Sequence, residues 1–186
     1  EPLSLTSMGY MLGLHAPGKQ LGMEALAAAH HQLLAHGLGT SALRAAGAKS
    51  VGIANAHAPV WPASSSPADT AAAHTYDALT NWTFVDPLLL GAYPDGIAEM
   101  MPAGATDDLK TIAAPLDWYG VNYYNPTGVG APDARPAIVD GATIPANPLF
   151  SIQEISGYPL TDFGWPVVPA GLGEMLATLK ARYGAK

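Results

Sequence analysis

The apolar positions between residues 22 and 46 recur at steps of three and four, which predicts a helix that buries one stripe of side chains. The stripe consists of Met23, Leu26, Ala27, His30, Leu33, Leu34, Leu38 and Leu43. The same spacing after Pro169 predicts a final helix that runs to Tyr183. Shorter helices are predicted at residues 95–101 and 106–112.

A further helix is predicted from residue 67 to about residue 84. Ser66 suits the N-cap, Pro67 suits the first helical position, and Asp69 suits the positively polarised start of a helix. Pro87 follows closely and is expected to end this helical segment.

Two short apolar runs, residues 50–55 and 117–122, contain β-branched side chains and predict buried strands of a parallel sheet. Helices and strands alternate along the chain, which predicts an α/β fold with a sheet covered by helices. Residues 126–162 are rich in Pro and Gly without periodicity and are predicted to form a long irregular loop. Because two strands do not make a stable sheet, we expect neighbouring strands outside this chain.

The composition is that of a globular chain of about one domain: 49% of the 186 residues are hydrophobic and only 12% are charged. Eight basic and 15 acidic side chains give a net charge of −7 without a basic cluster, so nucleic acid is not an expected partner. No apolar run reaches about 18 residues, so no membrane span is expected. The chain has no Cys, which excludes disulfides, thiolate metal ligands and thiol nucleophiles.

Polar residues follow both predicted strands. In a parallel α/β fold, ligands bind at the carboxyl ends of the strands. Glu1 and the polar residues within 55–57 and 122–124 are therefore expected to converge there. The alternative for Glu1 is a disordered acidic terminus.

Three histidines lie close together in the long predicted helix. Steps of one and six residues do not place His30, His31 and His36 on one helical face. We therefore expect a buried histidine with solvated neighbours, and no metal site.

Side chains in turns and loops are further candidates for ligand contact. His15 lies on a predicted turn, where contact with a ligand and a plain surface position both remain open. Trp61 and Trp165 lie in predicted loops, where such rings either stack on sugars or fill packing gaps.

The segment Asn81-Trp82-Thr83 matches a glycosylation sequon, but it lies on a predicted helix, so no glycan is expected. No Walker loop, GxGxxG or GxSxG occurs, so neither a nucleotide cofactor nor a serine hydrolase is predicted.

Several blocks of the sequence, taken together and in order, resemble family 1 glycoside hydrolases, the β-glucosidase family. The resemblance covers nearly the whole chain. The blocks are Glu1-Pro2, Gly9-Tyr10 with His15-Ala16-Pro17-Gly18, residues 29–37, Val51-Gly52-Ile53, Asp86-Pro87-Leu88-Leu89 with Gly91-Ala92-Tyr93-Pro94, residues 120–124, and residues 161–165.

The resemblance implies an α/β fold that is part of a (β/α)8 TIM barrel, from the end of strand 4 to the helix before strand 7. Residues 1–186 would then be a single segment of one catalytic domain, truncated at both ends. The family hydrolyses β-glycosides with retention, using one glutamate as general acid/base and a second as nucleophile. Glu1 matches the glutamate of the family's Asn-Glu-Pro motif and is implied to be the acid/base. The nucleophile's Thr-Glu-Asn-Gly motif is expected beyond Lys186, so the chain alone is expected to be inactive.

Other site residues follow from the same resemblance. Asn122 and Tyr124 match an Asn-x-Tyr motif in which the Tyr hydroxyl orients the nucleophile and the Asn lies near it. Trp165 matches an aromatic platform for the aglycone, and His15 matches a loop residue that borders it.

The segment that matches the fifth strand of the family's barrel departs from the family pattern. The family asparagine that contacts the substrate falls at Ala56 here, so Asn55 is the available substrate contact and His57 is expected to compensate.

Two readings without catalysis remain open beside the glycosidase. One is a carbohydrate-binding remnant that keeps Trp165, Trp61 and His15 as a sugar-contacting surface. The other is a scaffold that pairs only with complementary barrel segments. The expected ligand is a β-glucoside or related β-glycoside, without cofactor or metal, and the expected location is the cytoplasm. The sequence leaves the sugar specificity and the oligomeric state open.

Overall fold

The computed structural model describes residues 1–139 and 141–184. The α-helices are α1 (Pro2–Ser4), α2 (Leu26–Ala45), α3 (Pro67–Asp77), α4 (Thr83–Leu89), α5 (Ala105–Ile112) and α6 (Ala170–Tyr183). The strands are β1 (Gly52–Ala56), β2 (Val60–Pro62), β3 (Trp118–Asn122), β4 (Thr127–Gly130), β5 (Ala137–Val139), β6 (Ala142–Ile144) and β7 (Ser151–Gln153).

Two compact units are present. Unit 1 contains residues 1–56 and 80–122, and unit 2 contains residues 57–79 and 123–184. In unit 1, β1 and β3 pair in parallel, with Ile53 opposite Tyr119 and Ala56 opposite Asn122. The two predicted strands and their parallel pairing are therefore confirmed, as are α2, α5 and α6.

The predicted helix at residues 67–84 continues further than expected. A π-helical segment, Ala78–Trp82, joins α3 to α4, and Pro87 lies inside α4. The expectation that Pro87 ends the helix is wrong. Residues 81–88 are all buried, and this burial offsets the roughly 3 kcal/mol that an interior proline costs a helix.

Other predicted elements are corrected in part. The predicted helix at 95–101 is reduced to a 3₁₀ turn at Ala98–Met100. The predicted loop at 126–162 contains the short strands β4 to β7. Strands of three or four residues are too short to display a period of two, which explains why the sequence pattern missed them.

The core of unit 2 lies under its three-stranded sheet, β2-β4-β7. Ala72 and Ala73 of α3 pack on Val129 of β4. Partly buried side chains surround this contact, namely Val60, Tyr76, Phe150 and Ile152. Small alanines on α3 let the helix approach the sheet closely.

Close packing in unit 1 depends on a glycine of α2. A Cβ atom built on Gly37 would overlap the backbone carbonyl of Thr111 at the end of α5. Because backbone cannot move aside as a side chain can, we expect Gly37→Ala to lower the free energy of unfolding by about 1–3 kcal/mol. Urea unfolding measures this change.

Gly39 is the matched control for Gly37. It lies in the same helix with open space around its Cα, so Gly39→Ala is expected to stabilise the protein by up to about 1 kcal/mol through helix propensity. Equal effects of the two substitutions would contradict the proposed packing of α2 against α5.

A polar clamp joins the end of α2 to the starts of both central strands. The Asp117 carboxylate accepts the backbone N–H of Val51 at 2.7 Å and pairs with the Arg44 guanidinium. Arg44 also donates to the carbonyl of Lys49 at 3.0 Å. These contacts hold the pKa of Asp117 below its usual range, first through the Val51 N–H and then through Arg44.

The clamp predicts a specific dependence of stability on pH. Because the folded pKa of Asp117 is lowered, its ionised form stabilises the fold fully above about pH 4. This contribution is lost as the pH falls through the folded pKa. Urea midpoints of the wild type and Asp117→Asn should therefore differ most above about pH 4 and converge in more acidic solution. Asp95→Asn, a change at an exposed turn, is the charge-matched control, and a constant difference for Asp117→Asn at every pH would contradict the clamp.

Candidate active site

The Glu1 carboxylate lies beside the carboxyl end of β3. Asn122 is the last residue of β3, and its Nδ2 donates to Glu1 Oε1 at 2.7 Å. The Ser4 hydroxyl lies 3.4 Å from Glu1 Oε2, a longer and weaker contact. The Glu1 carboxylate is therefore oriented by an amide while the residue stays exposed to solvent.

The segment that follows Glu1 is helical and wider than an α-helix. Pro2 occupies the first position of α1, where its missing N–H is not needed. The chain then forms a π-helix, Leu5–Met11, a form often found at functional sites. Gln32 of α2 anchors this segment by donating to Thr6 Oγ1 at 3.0 Å.

The two faces of the β1–β3 pair carry different chemistry. Register partners in parallel strands share a face, so Ala56 lies on the same face as Asn122. Asn55 lies on the opposite face together with Tyr119. The Nδ2 group of Asn55 donates to the Tyr119 hydroxyl at 2.9 Å and to the Phe84 carbonyl at 3.4 Å.

The expectation that Asn55 converges with Glu1 and Asn122 is therefore wrong. Its side chain is only 1% exposed and is directed toward α4. Burial also raises the pKa of the Tyr119 hydroxyl, which keeps this partner neutral. On the face that carries Asn122, the position next to it is occupied by the methyl group of Ala56.

Unit 2 presents Tyr124 and Trp165 together. Their ring centroids are 5.6 Å apart in an edge-to-face arrangement, and Tyr124 is largely exposed. Phe163, which sequence reasoning missed, stacks on Trp165 at 5.5 Å and is 82% exposed. These three side chains form an aromatic cluster, Tyr124–Trp165–Phe163.

Hydrogen bonds fix the loop that carries two of these rings. Thr161 N–H donates to the Trp165 carbonyl at 2.9 Å, and Gly164 N–H donates to the Thr161 carbonyl at 2.8 Å. Gly164 has φ of +80°, which a residue with a side chain rarely adopts. Phe163 lies within the block of residues 161–165 that carries the family resemblance, but the sequence analysis gave this side chain no role.

The two predicted histidine contacts differ in placement. His57 is buried in unit 2, and its contribution to substrate contact stays a prediction. His15 is exposed on a turn in unit 1, where its backbone N–H donates to the Met8 carbonyl at 3.0 Å and its carbonyl accepts from Gly18 N–H at 2.8 Å. Ligand contact by His15 stays a prediction.

His30 is a buried histidine of α2, as expected. Its Nδ1 is 2.9 Å from the Tyr93 hydroxyl and its Nε2 is 3.2 Å from Asp108 Oδ2. Both ring nitrogens therefore have a hydrogen-bonding partner, which accounts for the burial of this polar ring. His31 is exposed, and its ring bonds to the Ala27 carbonyl of the same helix. The contacts of His30 and His31 are therefore structural.

The structure also shows how far the sequon asparagine and the loop residue Trp61 are buried. Asn81 of the sequon is buried in the π-helical segment. Trp61 is partly exposed, and its Nε1 donates to both carboxylate oxygens of Glu174 at 3.2 and 3.1 Å.

Residues 1–139 and 141–184 contain no group of three or more His, Asp or Glu side chains arranged to hold a metal ion. Among the same residues, no helix combines the length and the apolar character needed to cross a membrane.

Known proteins resemble the chain along its whole length. The sequence model described as "Glycosyl hydrolase family 1" matches residues 1–186. A β-glucosidase of Agrobacterium sp. (strain ATCC 21400) is 38% identical over 98% of the chain and 39% of that relative. A bifunctional β-D-glucosidase/β-D-fucosidase of Bifidobacterium breve is 34% identical over 98% of the chain and 40% of that relative.

Solved structures agree. The psychrophilic β-glucosidase BglU from Micrococcus antarcticus superposes with a TM-score of 0.83 at 37% identity, covering 98% of the chain and 42% of BglU. The virulence factor SghA from Agrobacterium tumefaciens, solved with its substrate analogue salicin, gives a TM-score of 0.82 at 36% identity, with 98% of the chain and 40% of SghA covered. The chain thus spans about 40% of the length of these relatives, and its α/β fold corresponds to part of theirs. It belongs to glycosyl hydrolase family 1.

Proposed function

We propose that this chain is the segment of a retaining β-glycosidase that carries the general acid/base, and that Glu1 fills this role. One observation carries the proposal: in a chain of this family, the exposed Glu1 carboxylate is oriented by the Asn122 amide at the carboxyl end of β3. Ligands of parallel α/β folds bind at this end of the strands.

The chemistry follows from the hydrogen bond. Because Asn122 donates to Glu1 Oε1, that oxygen acts as an acceptor, and the proton of the acid form resides on Oε2. In the first step, Oε2 gives this proton to the departing glycosidic oxygen while the nucleophile attacks the anomeric carbon. In the second step, the ionised carboxylate takes a proton from water as the water attacks the glycosyl-enzyme.

The remaining parts of the reaction are proposed to lie outside this chain. The 186 residues contain no Thr-Glu-Asn-Gly, so we place the nucleophile in the rest of a (β/α)8 barrel of which residues 1–186 form one segment, from the end of strand 4 to the helix before strand 7. Tyr124 is proposed to orient that nucleophile, and Trp165 to support the aglycone. The substrates are proposed to be β-glucosides or related β-glycosides. Without a nucleophile, the segment alone forms no covalent intermediate and turns nothing over.

The test begins with the coding sequence on both sides of the segment, which is expected to continue into a strand that carries Thr-Glu-Asn-Gly. The complete product is then assayed with 4-nitrophenyl β-glucoside, and proton NMR identifies the anomer released first. We expect the β-anomer first, and no nitrophenol from residues 1–186 alone. An α-anomer first would contradict retention, and turnover by the segment alone would contradict an external nucleophile.

A non-catalytic carbohydrate-binding function is the second candidate. The Tyr124–Trp165–Phe163 cluster favours it, because the exposed Phe163 ring and the partly exposed Trp165 ring are held by a hydrogen-bonded turn, an arrangement that suits stacking on a ligand. This function predicts binding of a glucoside without turnover even in the complete product.

A further inference from the structure

A second group of rings lies in unit 2 and includes a carboxylate. The Trp61 and Tyr158 ring centroids are 6.3 Å apart at an angle of 41°, and the Glu174 carboxylate holds the Trp61 indole N–H with both oxygens. Tyr123 lies close enough for Glu174 and Tyr158 to raise the pKa of its hydroxyl, after the larger effect of burial. We call Trp61, Tyr158 and Glu174 the Trp61 cluster. The mechanism proposed above uses none of the three.

The fold brings Glu174 to this place through a glycine of α6. A Cβ atom built on Gly171 would overlap the Tyr123 hydroxyl, so the absence of a side chain here lets the first turn of α6 pack on this ring without displacing it. The Tyr123 hydroxyl then donates to the Val168 carbonyl just before α6, at 2.6 Å. Glu174 follows Gly171 by three residues and so lies on the same face of the helix, one turn further on.

The cluster keeps unused binding capacity. Each carboxylate oxygen of Glu174 has two acceptor positions, and the single Trp61 N–H does not fill them. Glu174 is exposed and Tyr158 is 41% exposed, so acceptors and a ring face are open to solvent. The carboxylate lies at the N–H edge of the indole and therefore beside the ring face, not over it.

We propose that the Trp61 cluster binds a pyranose ring of a neutral saccharide. The C–H face of the sugar packs on an aromatic ring, and two neighbouring hydroxyls donate to the two oxygens of Glu174 at the rim of that ring. An organic cation would instead be bound over the faces of the aromatic rings. Here the charged group, the Glu174 carboxylate, lies at the edge of the Trp61 ring, so a cation drawn to it would not lie over the ring face. The proposal goes beyond the catalytic assignment, because binding here requires neither Glu1 nor a nucleophile.

The test uses residues 1–186, labelled with ¹⁵N and titrated with cellobiose. The indole N–H of Trp61, assigned from the spectrum of Trp61→Phe, is expected to shift saturably with a Kd in the millimolar range. Glu174→Ala is expected to weaken binding at least tenfold, and Glu174→Gln, which keeps one acceptor oxygen, is expected to weaken it less. Glu154→Ala removes an exposed carboxylate of the same unit and should leave the titration unchanged.

Three results would overturn the proposal. The first is a Trp61 signal that does not respond to cellobiose in the folded wild type, a readout that needs no variant. The second is an equal loss in Glu154→Ala and Glu174→Ala, which would reflect net charge alone. The third is a saturable, Glu174-dependent response to tetramethylammonium but not to cellobiose, which would make this a cation site. None of these results bears on Glu1, so the two proposals fail separately.

Discussion

From the acid/base role proposed for Glu1, we expect Glu1→Gln in the complete gene product to lower kcat/KM for a β-glucoside with a poor leaving group by about 10² to 10⁴-fold. Glutamine keeps the shape of the side chain and an oxygen that can accept from Asn122, so the local fold is retained. It can neither give a proton to the glycosidic oxygen nor take one from water. The loss therefore isolates proton transfer from positioning.

The dependence on the leaving group separates catalysis from a structural defect. A 2,4-dinitrophenyl leaving group departs with little need for a proton, so the first step with this substrate should be nearly unaffected in Glu1→Gln. The second step stays slow because water lacks its base, and added azide should restore turnover by attacking the glycosyl-enzyme directly. Glu24→Gln, at an exposed position of unit 1, is expected to behave as the wild type. Equal losses for both leaving groups, with no glycosyl azide formed, would contradict the role of Glu1.

The secondary-structure elements that could be predicted from the sequence are those long enough to show a repeating pattern of apolar residues. The predicted apolar stripe identifies α2 because it repeats over several turns. Its members Leu26, His30 and Leu33 are buried, whereas Leu38 and Leu43, which were expected to be buried with them, are exposed. The parallel strands were predictable from their composition and from the helices between them. Strands β4 to β7 were not, because each is three or four residues long. In addition, β4 and β7 are distant in the chain and pair with each other, whereas β5 and β6 pair as neighbours along the chain.

The sequence predicted that Glu1 and Asn122 lie close together, which the structure confirms, but it misplaced Asn55; the roles of Glu1 and Asn122 stay predictions. Side chains alternate across a strand, so a difference of one residue moves an asparagine to the opposite face. Ala56, not Asn55, shares a face with Asn122, and the Asn55 amide serves the packing of α4 and Tyr119. The sequence motif located the end of β1 correctly, but it did not determine on which face of the sheet the Asn55 side chain lies.

Contacts between distant parts of the chain were outside the reach of the sequence. Trp61 and Glu174 are 113 residues apart, and no local pattern connects them. Their meeting depends on Gly171, whose missing side chain lets α6 pack on Tyr123. The sequence analysis identified Trp61 as a loop aromatic and gave no role to Glu174.

Substitutions of Asn122 in the complete enzyme test how the acid/base is held. Asn122→Ala removes a hydrogen bond to a carboxylate, and such bonds contribute about 1.5–3 kcal/mol, so kcat/KM is expected to fall by about 10 to 100-fold. Because Asn122 acts here as a positioning residue, the loss should be greater for poor leaving groups than for 2,4-dinitrophenyl. A merely structural defect would lower kcat/KM equally for substrates with poor leaving groups and for those with 2,4-dinitrophenyl.

Asn122→Asp is expected to cost more than Asn122→Ala, although it is the smaller change in shape. It places a second carboxylate where the amide now donates to Glu1 Oε1 at 2.7 Å, and two like charges about 4 Å apart near a protein surface repel by roughly 4 kcal/mol. The repulsion turns Glu1 away from the glycosidic oxygen, so we expect a loss in kcat/KM of about 10² to 10³-fold at neutral pH. Asn147→Asp adds the same charge in unit 2, where an aspartate can still accept the Leu149 N–H, and should leave the rate unchanged. If Asn122→Asp and Asn122→Ala lost the same activity, the added charge would not be reaching Glu1, and the pairing of Asn122 with the acid/base would be refuted.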